Sequence, residues 1–161
     1  MNSRVKTCCF TGHRIIPEDE YAGIQKRLEN EIENLIHQGV YLFIAGGALG
    51  FDTMAAQAVI KLRTEFPHIG LILVPPHAGH TKHWHEKDQK IYGQILEQAD
   101  VEMHMAEHYY DGCMQARNRY MALNSRFCIC YLTKSTGGTA YTVNYAKKKG
   151  LRIINLAQSS S

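Results

Sequence analysis

Short runs of continuous apolar and β-branched residues alternate along the chain with longer stretches whose apolar positions recur at helical spacing. The apolar runs span residues 5–11, 41–45, 69–74, 101–105, 127–132 and 151–155. Between the first two, Ile24, Leu28, Ile32, Leu35 and Ile36 fall on one helical face, with Pro17-Glu18-Asp19-Glu20 suited to its start and Gly39 to its end. A second helix carries Ala55, Ala58, Val59, Leu62 and Phe66 before Pro67 stops it. A third spans 84–99 with Ile91, Ile95 and Leu96 facing inward; a fourth spans 112–124; a fifth spans 138–149, closed by Gly150. Strands that alternate with helices predict a parallel sheet, and near-continuous apolar strands predict one covered on both faces. The expectation is an α/β fold, one doubly wound Rossmann-like domain over residues 1–156, followed by a disordered tail at 157–161.

Composition narrows the function classes. The chain has 161 residues, 45% hydrophobic and 20% charged, which suits a single packed domain. A net charge of +3 tolerates anionic ligands but is small for a dedicated nucleic-acid binder, so nucleic acid is not the expected partner. No apolar run approaches the ~20 residues that cross a bilayer, and no signal-peptide pattern opens the chain, so the expected location is cytoplasmic. Five cysteines, most of them inside apolar strands, read as reduced core thiols.

In a doubly wound sheet, ligands bind beyond the carboxyl ends of the strands, where helix N-termini present free N–H groups. The chemistry should therefore sit just after each strand. The first strand leads into Thr11-Gly12-His13-Arg14, where Gly12 admits close backbone approach and Arg14 could fork onto a phosphate or simply stay solvated. The second leads into Gly46-Gly47-Ala48-Leu49-Gly50-Phe51-Asp52, a glycine-rich helix start of the kind that cradles phosphate, though neither G-x-G-x-x-G nor a Walker A loop. Asp52 complements its helix dipole, could hold a ribose hydroxyl, and is the candidate catalytic residue should a reaction follow binding. The fifth leads into Ser135-Thr136-Gly137-Gly138-Thr139, with Thr142 one turn on, a second glycine-rich start with hydroxyls for phosphate oxygens. Arg117 and Asn118 sit near the start of the fourth helix, where a cation runs against the dipole and hints at an anionic partner.

His77, His80, His83 and His85 offer four imidazoles in nine residues. They could ligate a transition metal or form a polar loop anchored by Trp84, and no accompanying ligand spacing decides for metal. No cofactor is evident, and a divalent metal finds no support.

Taken in order, Cys9-Phe10-Thr11-Gly12-His13-Arg14, Ala45-Gly46-Gly47-Ala48-Leu49-Gly50-Phe51-Asp52, Arg117-Asn118-x-x-Met121 and Gly137-Gly138-Thr139-x-x-Thr142 resemble the YpsA-like family of bacterial proteins. That family belongs to the SLOG superfamily, with the DNA-processing protein DprA and the LOG phosphoribohydrolases. The resemblance implies a Rossmann-like fold and a nucleotide or nucleotide-derived signalling ligand, held as by a sensor. It implies two alternatives as well: nucleotide hydrolysis as in LOG enzymes, and single-stranded nucleic-acid binding as in DprA. LOG enzymes carry G-T-x-x-E where this chain has Gly138-Thr139-x-x-Thr142, so Thr142 replaces a carboxylate that a hydroxyl cannot stand in for at neutral pH. Binding is therefore expected over hydrolysis. Relatives of this type pair through helices, so a homodimer is expected.

Overall fold

In the computed structural model, which describes residues 3–157, six parallel strands form one sheet in the order β4-β3-β2-β1-β5-β6. The strands are β1 (Thr7–Gly12), β2 (Leu42–Ala45), β3 (Gly70–Leu73), β4 (Val101–Glu102), β5 (Phe127–Tyr131) and β6 (Arg152–Asn155). The helices are α1 (Tyr21–His37), α2 (Phe51–Leu62), α3 (Glu86–Gln98), α4 (Cys113–Leu123) and α5 (Gly138–Lys148). The chain winds outward from β1 to β4, then crosses back to lay β5 on the other side of β1. That reversal opens a crevice at the carboxyl ends of β1 and β5, the place where such sheets take ligands.

Alternate residues of each strand feed two separate cores. Phe10, Phe43, Leu71 and Ile129 pack with Ile24, Leu28, Met54, Val59 and Ile95 of α1, α2 and α3. On the other face, Cys9, Ile44, Cys128 and Cys130 pack with Met121 and Ala122 of α4 and Val143 and Ala146 of α5. All five cysteines are free and buried. Burial pushes the thiols of Cys8 and Cys130 up, the latter to about 12, so at neutral pH these two are small hydrophobes.

The departures from the sequence pattern lie at element ends. Val5 is 50% exposed in a 3-10 turn, Ser3–Lys6, because the pairing of β1 with β2 begins only at Thr7 opposite Leu42. Residues 101–105 do run beside β3, with Met103 N donating to Leu73 O (2.8 Å) and Met105 N to Pro75 O (3.0 Å). Only Val101–Glu102 meets strand ladder, since β3 ends at Leu73. Helix α2 stops at Leu62 rather than Phe66, and α3 starts at Glu86 rather than Trp84, whose ring packs in the preceding loop. Leu96, expected inward, is 38% exposed. Of the predicted tail, Ala157 is tied to the domain by its N–H to Asn155 Oδ1 (3.1 Å), and residues 158–161 lie outside the described part. Among the described residues, no helix is long and apolar enough to cross a membrane.

Candidate functional site

A cleft of about 350 Å3 occupies the crevice between β1 and β5. Three junctions build it: Thr11, Gly12 and Arg14 after β1, Ala48 and Asp52 at the start of α2, and Lys134, Thr136, Gly137, Gly138 and Thr139 after β5. Helix α4 closes the remaining side with Met114, Gln115, Arg117 and Asn118.

The turn after β5 faces the cleft with bare backbone. Gly137 caps α5 at φ 102, a conformation that other residues rarely adopt, and no side chain caps the helix. A Cβ on Gly137 or Gly138 would meet nothing within 4 Å. The first intrahelical bond of α5 is donated by Tyr141 N to Gly137 O (3.0 Å), so the amides before it are free to face an anion.

The turn after β2 is built the same way in sequence but is filled by the protein itself. A Cβ on Gly46 would lie 2.6 Å from Arg117 Nη1 and 2.8 Å from Asp52 Oδ2. On Gly47 (φ 77) it would lie 3.2 Å from His80 Nε2 and from the Tyr92 ring, and on Gly50 (φ 77) it would fall on the Arg14 carbonyl. The Phe51 amide donates to His13 O (3.1 Å), and Ala48 N donates to Asp52 Oδ2 (3.2 Å). The glycines expected to cradle phosphate at Gly46, Gly47 and Gly50 thus clear space for neighbouring side chains and backbone, and none lines the cleft. Gly12 does line it, yet its missing Cβ also makes room for Phe51, whose own Cβ would be 2.6 Å away.

Two charges lie buried beneath this arrangement, Arg117 at 5% exposure and Asp52 at 6%. Arg117 Nη1 donates to the Gly46 and Val74 carbonyls, and Nε donates to Asn118 Oδ1 (2.7 Å). Burial lowers the pKa of the guanidinium while Asp52 pulls it back up. Burial raises the Asp52 carboxyl above its ordinary range, opposed by Arg117, the Ala48 amide and Arg14. Arg117 is therefore first a clamp on the β2 and β3 ends, and the cation exposed to a ligand is Arg14, whose Nη2 reaches only Met114 Sδ at 3.6 Å. Lys134 adds a second exposed cation; among the described residues neither it nor Arg14 has a carboxylate partner within 4 Å. His13 ties the β1 and β5 loops together, its Nε2 accepting the Thr133 amide (2.9 Å). Burial, then Lys134, lower its pKa.

Thr142 does not reach the cleft. It is 2% exposed and its hydroxyl donates back to Gly138 O (2.9 Å), so the position laid on the LOG carboxylate is turned inward. The histidines diverge: His80 bonds the Gly47 carbonyl (3.0 Å) and packs on Trp84 and Tyr92, His77 stands edge-on to Tyr109, and His83 and His85 are exposed. Among the described residues, no three His, Cys, Asp or Glu side chains are grouped to hold a metal. His13 and Thr136, inside two of the quoted motifs, line the cleft as well, and Met114, Gln115 and Lys134 join them from outside those motifs. Lys134 stood in plain view two residues past an apolar run, whereas Met114 and Gln115 carry no local signal.

A six-stranded parallel sheet with its cleft at the β1/β5 reversal defines a Rossmann-like α/β protein with a cationic, glycine-edged site. The YspA SLOG family model, YpsA, matches residues 15–155, and the chain belongs to that family. It is 35% identical over 129 residues to a UPF0398 protein of Halalkalibacterium halodurans, covering 78% of this chain and 68% of that one. It is 32% identical over 138 residues to the SPbeta prophage-derived protein YoqJ of Bacillus subtilis, covering 78% and 81%. In fold it is similar to DNA processing protein A of Streptococcus pneumoniae (TM-score 0.69, 18% identity, 98% of this chain) and of Helicobacter pylori (TM-score 0.68, 17% identity, 97%), the latter described for its single-stranded DNA binding mode. The chain spans 52% and 66% of those two proteins.

Proposed function

We propose that this chain binds a nucleotide-type ligand through a phosphate group at the start of α5 and acts as a sensor or regulatory binder. The observation that carries the reading is the open, uncapped Gly137-Gly138-Thr139 turn facing a cleft edged by Arg14 and Lys134. Free amides at a helix N-terminus favour an anion, and a water-exposed cation not already paired with a carboxylate strengthens such a contact. Asp52 is the carboxyl of the cleft lining, but it is buried, with one oxygen engaged by the Ala48 amide and Arg117 beside it, which supports binding over hydrolysis.

The test is calorimetric titration with nucleoside monophosphates, ADP-ribose, NAD and cyclic dinucleotides, for the native chain and Gly138→Val. At least one ligand binds the native chain, and the valine weakens it tenfold or more, ~1.4 kcal/mol. No binding at millimolar ligand across the panel contradicts the reading. Single-stranded nucleic acid is the second reading, favoured by the likeness to the Helicobacter pylori protein. It requires affinity for oligonucleotides that falls steeply with salt.

A further inference from the structure

The cleft does not end at Arg14. Beyond the His13–Arg14 segment lies a second hollow of about 410 Å3, walled by Ile15, Pro17, Tyr131 and Thr133 and sharing His13, Arg14 and Lys134 with the first. Each hollow falls within the size range of small-molecule sites. The two exposed cations thus line both hollows, on the ridge between them.

The second hollow has its own character. Ile15 is 83% exposed, an apolar side chain held in water on its wall. Beyond Pro17 the chain runs into Glu18, Asp19 and Glu20; burial, then Glu20 and Asp19, push the Tyr131 hydroxyl up, with the cation Arg27 opposing them. The hollow is therefore cationic at the ridge, apolar on its wall and anionic near its outer end. A phosphate chain continuing outward would be repelled there, whereas ribose hydroxyls and an uncharged base would not.

Building on the nucleotide reading above, we propose that the two hollows form one site for a dinucleotide. Its bridging phosphates lie on the ridge of Arg14 and Lys134 near the start of α5, and its second nucleoside lies against Ile15 and Pro17. The ligand class is two nucleosides joined by a short phosphate bridge, not a mononucleotide and not a polymer.

Calorimetry with AMP and with diadenosine diphosphate, on the native chain and Ile15→Ser, tests this; the neutral serine leaves the charge beside Arg14 as it is. The dinucleotide binds the native chain at least about tenfold tighter than AMP. In Ile15→Ser, whose folding is checked by its thermal transition, that advantage falls to about twofold or less. Equal affinity of the two ligands for the native chain, or an advantage that survives Ile15→Ser in full, overturns the proposal and leaves the nucleotide reading intact. Failure of both ligands to bind also overturns the proposal, and the nucleotide reading then stands or falls on the full ligand panel above. An oligodeoxyadenylate of about ten nucleotides that binds tighter than the dinucleotide, and loses that affinity in Ile15→Ser, assigns the hollow to nucleic acid and overturns it too.

Discussion

At the turn after β2, the Phe51 amide is taken by the His13 carbonyl, the Ala48 amide by Asp52, and the space beside Gly46 by the Arg117 guanidinium. Neither helix has a side-chain cap, but at the turn after β5 the space beside Gly137 and Gly138 is open. Both turns are glycine-rich, both start helices, and both sit on the same sheet edge. The difference is occupancy. One turn is a structural junction whose Ala48 and Phe51 amides and glycine faces are taken up by the protein itself, and at the other nothing stands opposite the glycines. Glycine content alone does not separate a binding loop from a packing necessity; what stands opposite the missing Cβ does.

If the turn after β2 is structural, substitutions there should cost stability above all. Gly50→Val puts a β-branched side chain at φ 77 against the Arg14 backbone, which cannot swing aside. It should cost about 4 kcal/mol or more in urea unfolding. Arg117→Met should cost about 3 kcal/mol, because the Gly46 and Val74 carbonyls lose their donor and Asp52 loses the cation beside it. The same variant has a pH signature. A folded-state carboxyl raised above its unfolded value contributes stability at low pH that is lost as pH rises through the folded value. With Arg117 gone, Asp52 rises further, so the deficit should grow as pH rises above the native chain's folded value, itself above the ordinary carboxylate range.

Smaller effects sharpen the contrast. Thr142→Val removes a hydroxyl that only bonds back to Gly138 O, so unfolding should shift by about 1 kcal/mol or less and nucleotide affinity should hold. A large loss of affinity would return Thr142 to the site. The smallest effect belongs to His13. Its folded pKa is lowered, so its contribution is complete above the unfolded value and lost as pH falls through the folded one. Stability should therefore decline as pH falls below about 6.5, the unfolded imidazole's value, and His13→Gln should flatten part of that slope.

The parallel sheet, its helices and the edge that carries the site could be read from the chain because each depends on local pattern: apolar runs, helical spacing and the residues just after each strand. Thr11, Gly12, Arg14, Asp52, Gly137, Gly138 and Thr139 reach the cleft for that reason, as do Arg117 and Asn118. What local pattern cannot carry is which distant group fills a glycine's space. Gly46 is blocked by Arg117, 71 residues away in the chain, and Gly47 by His80 and Tyr92. The inward turn of Thr142 was likewise invisible, since helix phase relative to the sheet comes from packing on β1, β5 and β6 rather than from the G-T-x-x-T spacing.

The most direct measurement is an amide-resolved NMR titration of the native chain with AMP. Binding at the start of α5 predicts the largest shifts at the amides of Gly137, Gly138 and Thr139, with those of Gly47, Ala48 and Phe51 nearly still. Shifts concentrated at Gly47, Ala48 and Phe51, with the α5 turn unmoved, would contradict the account.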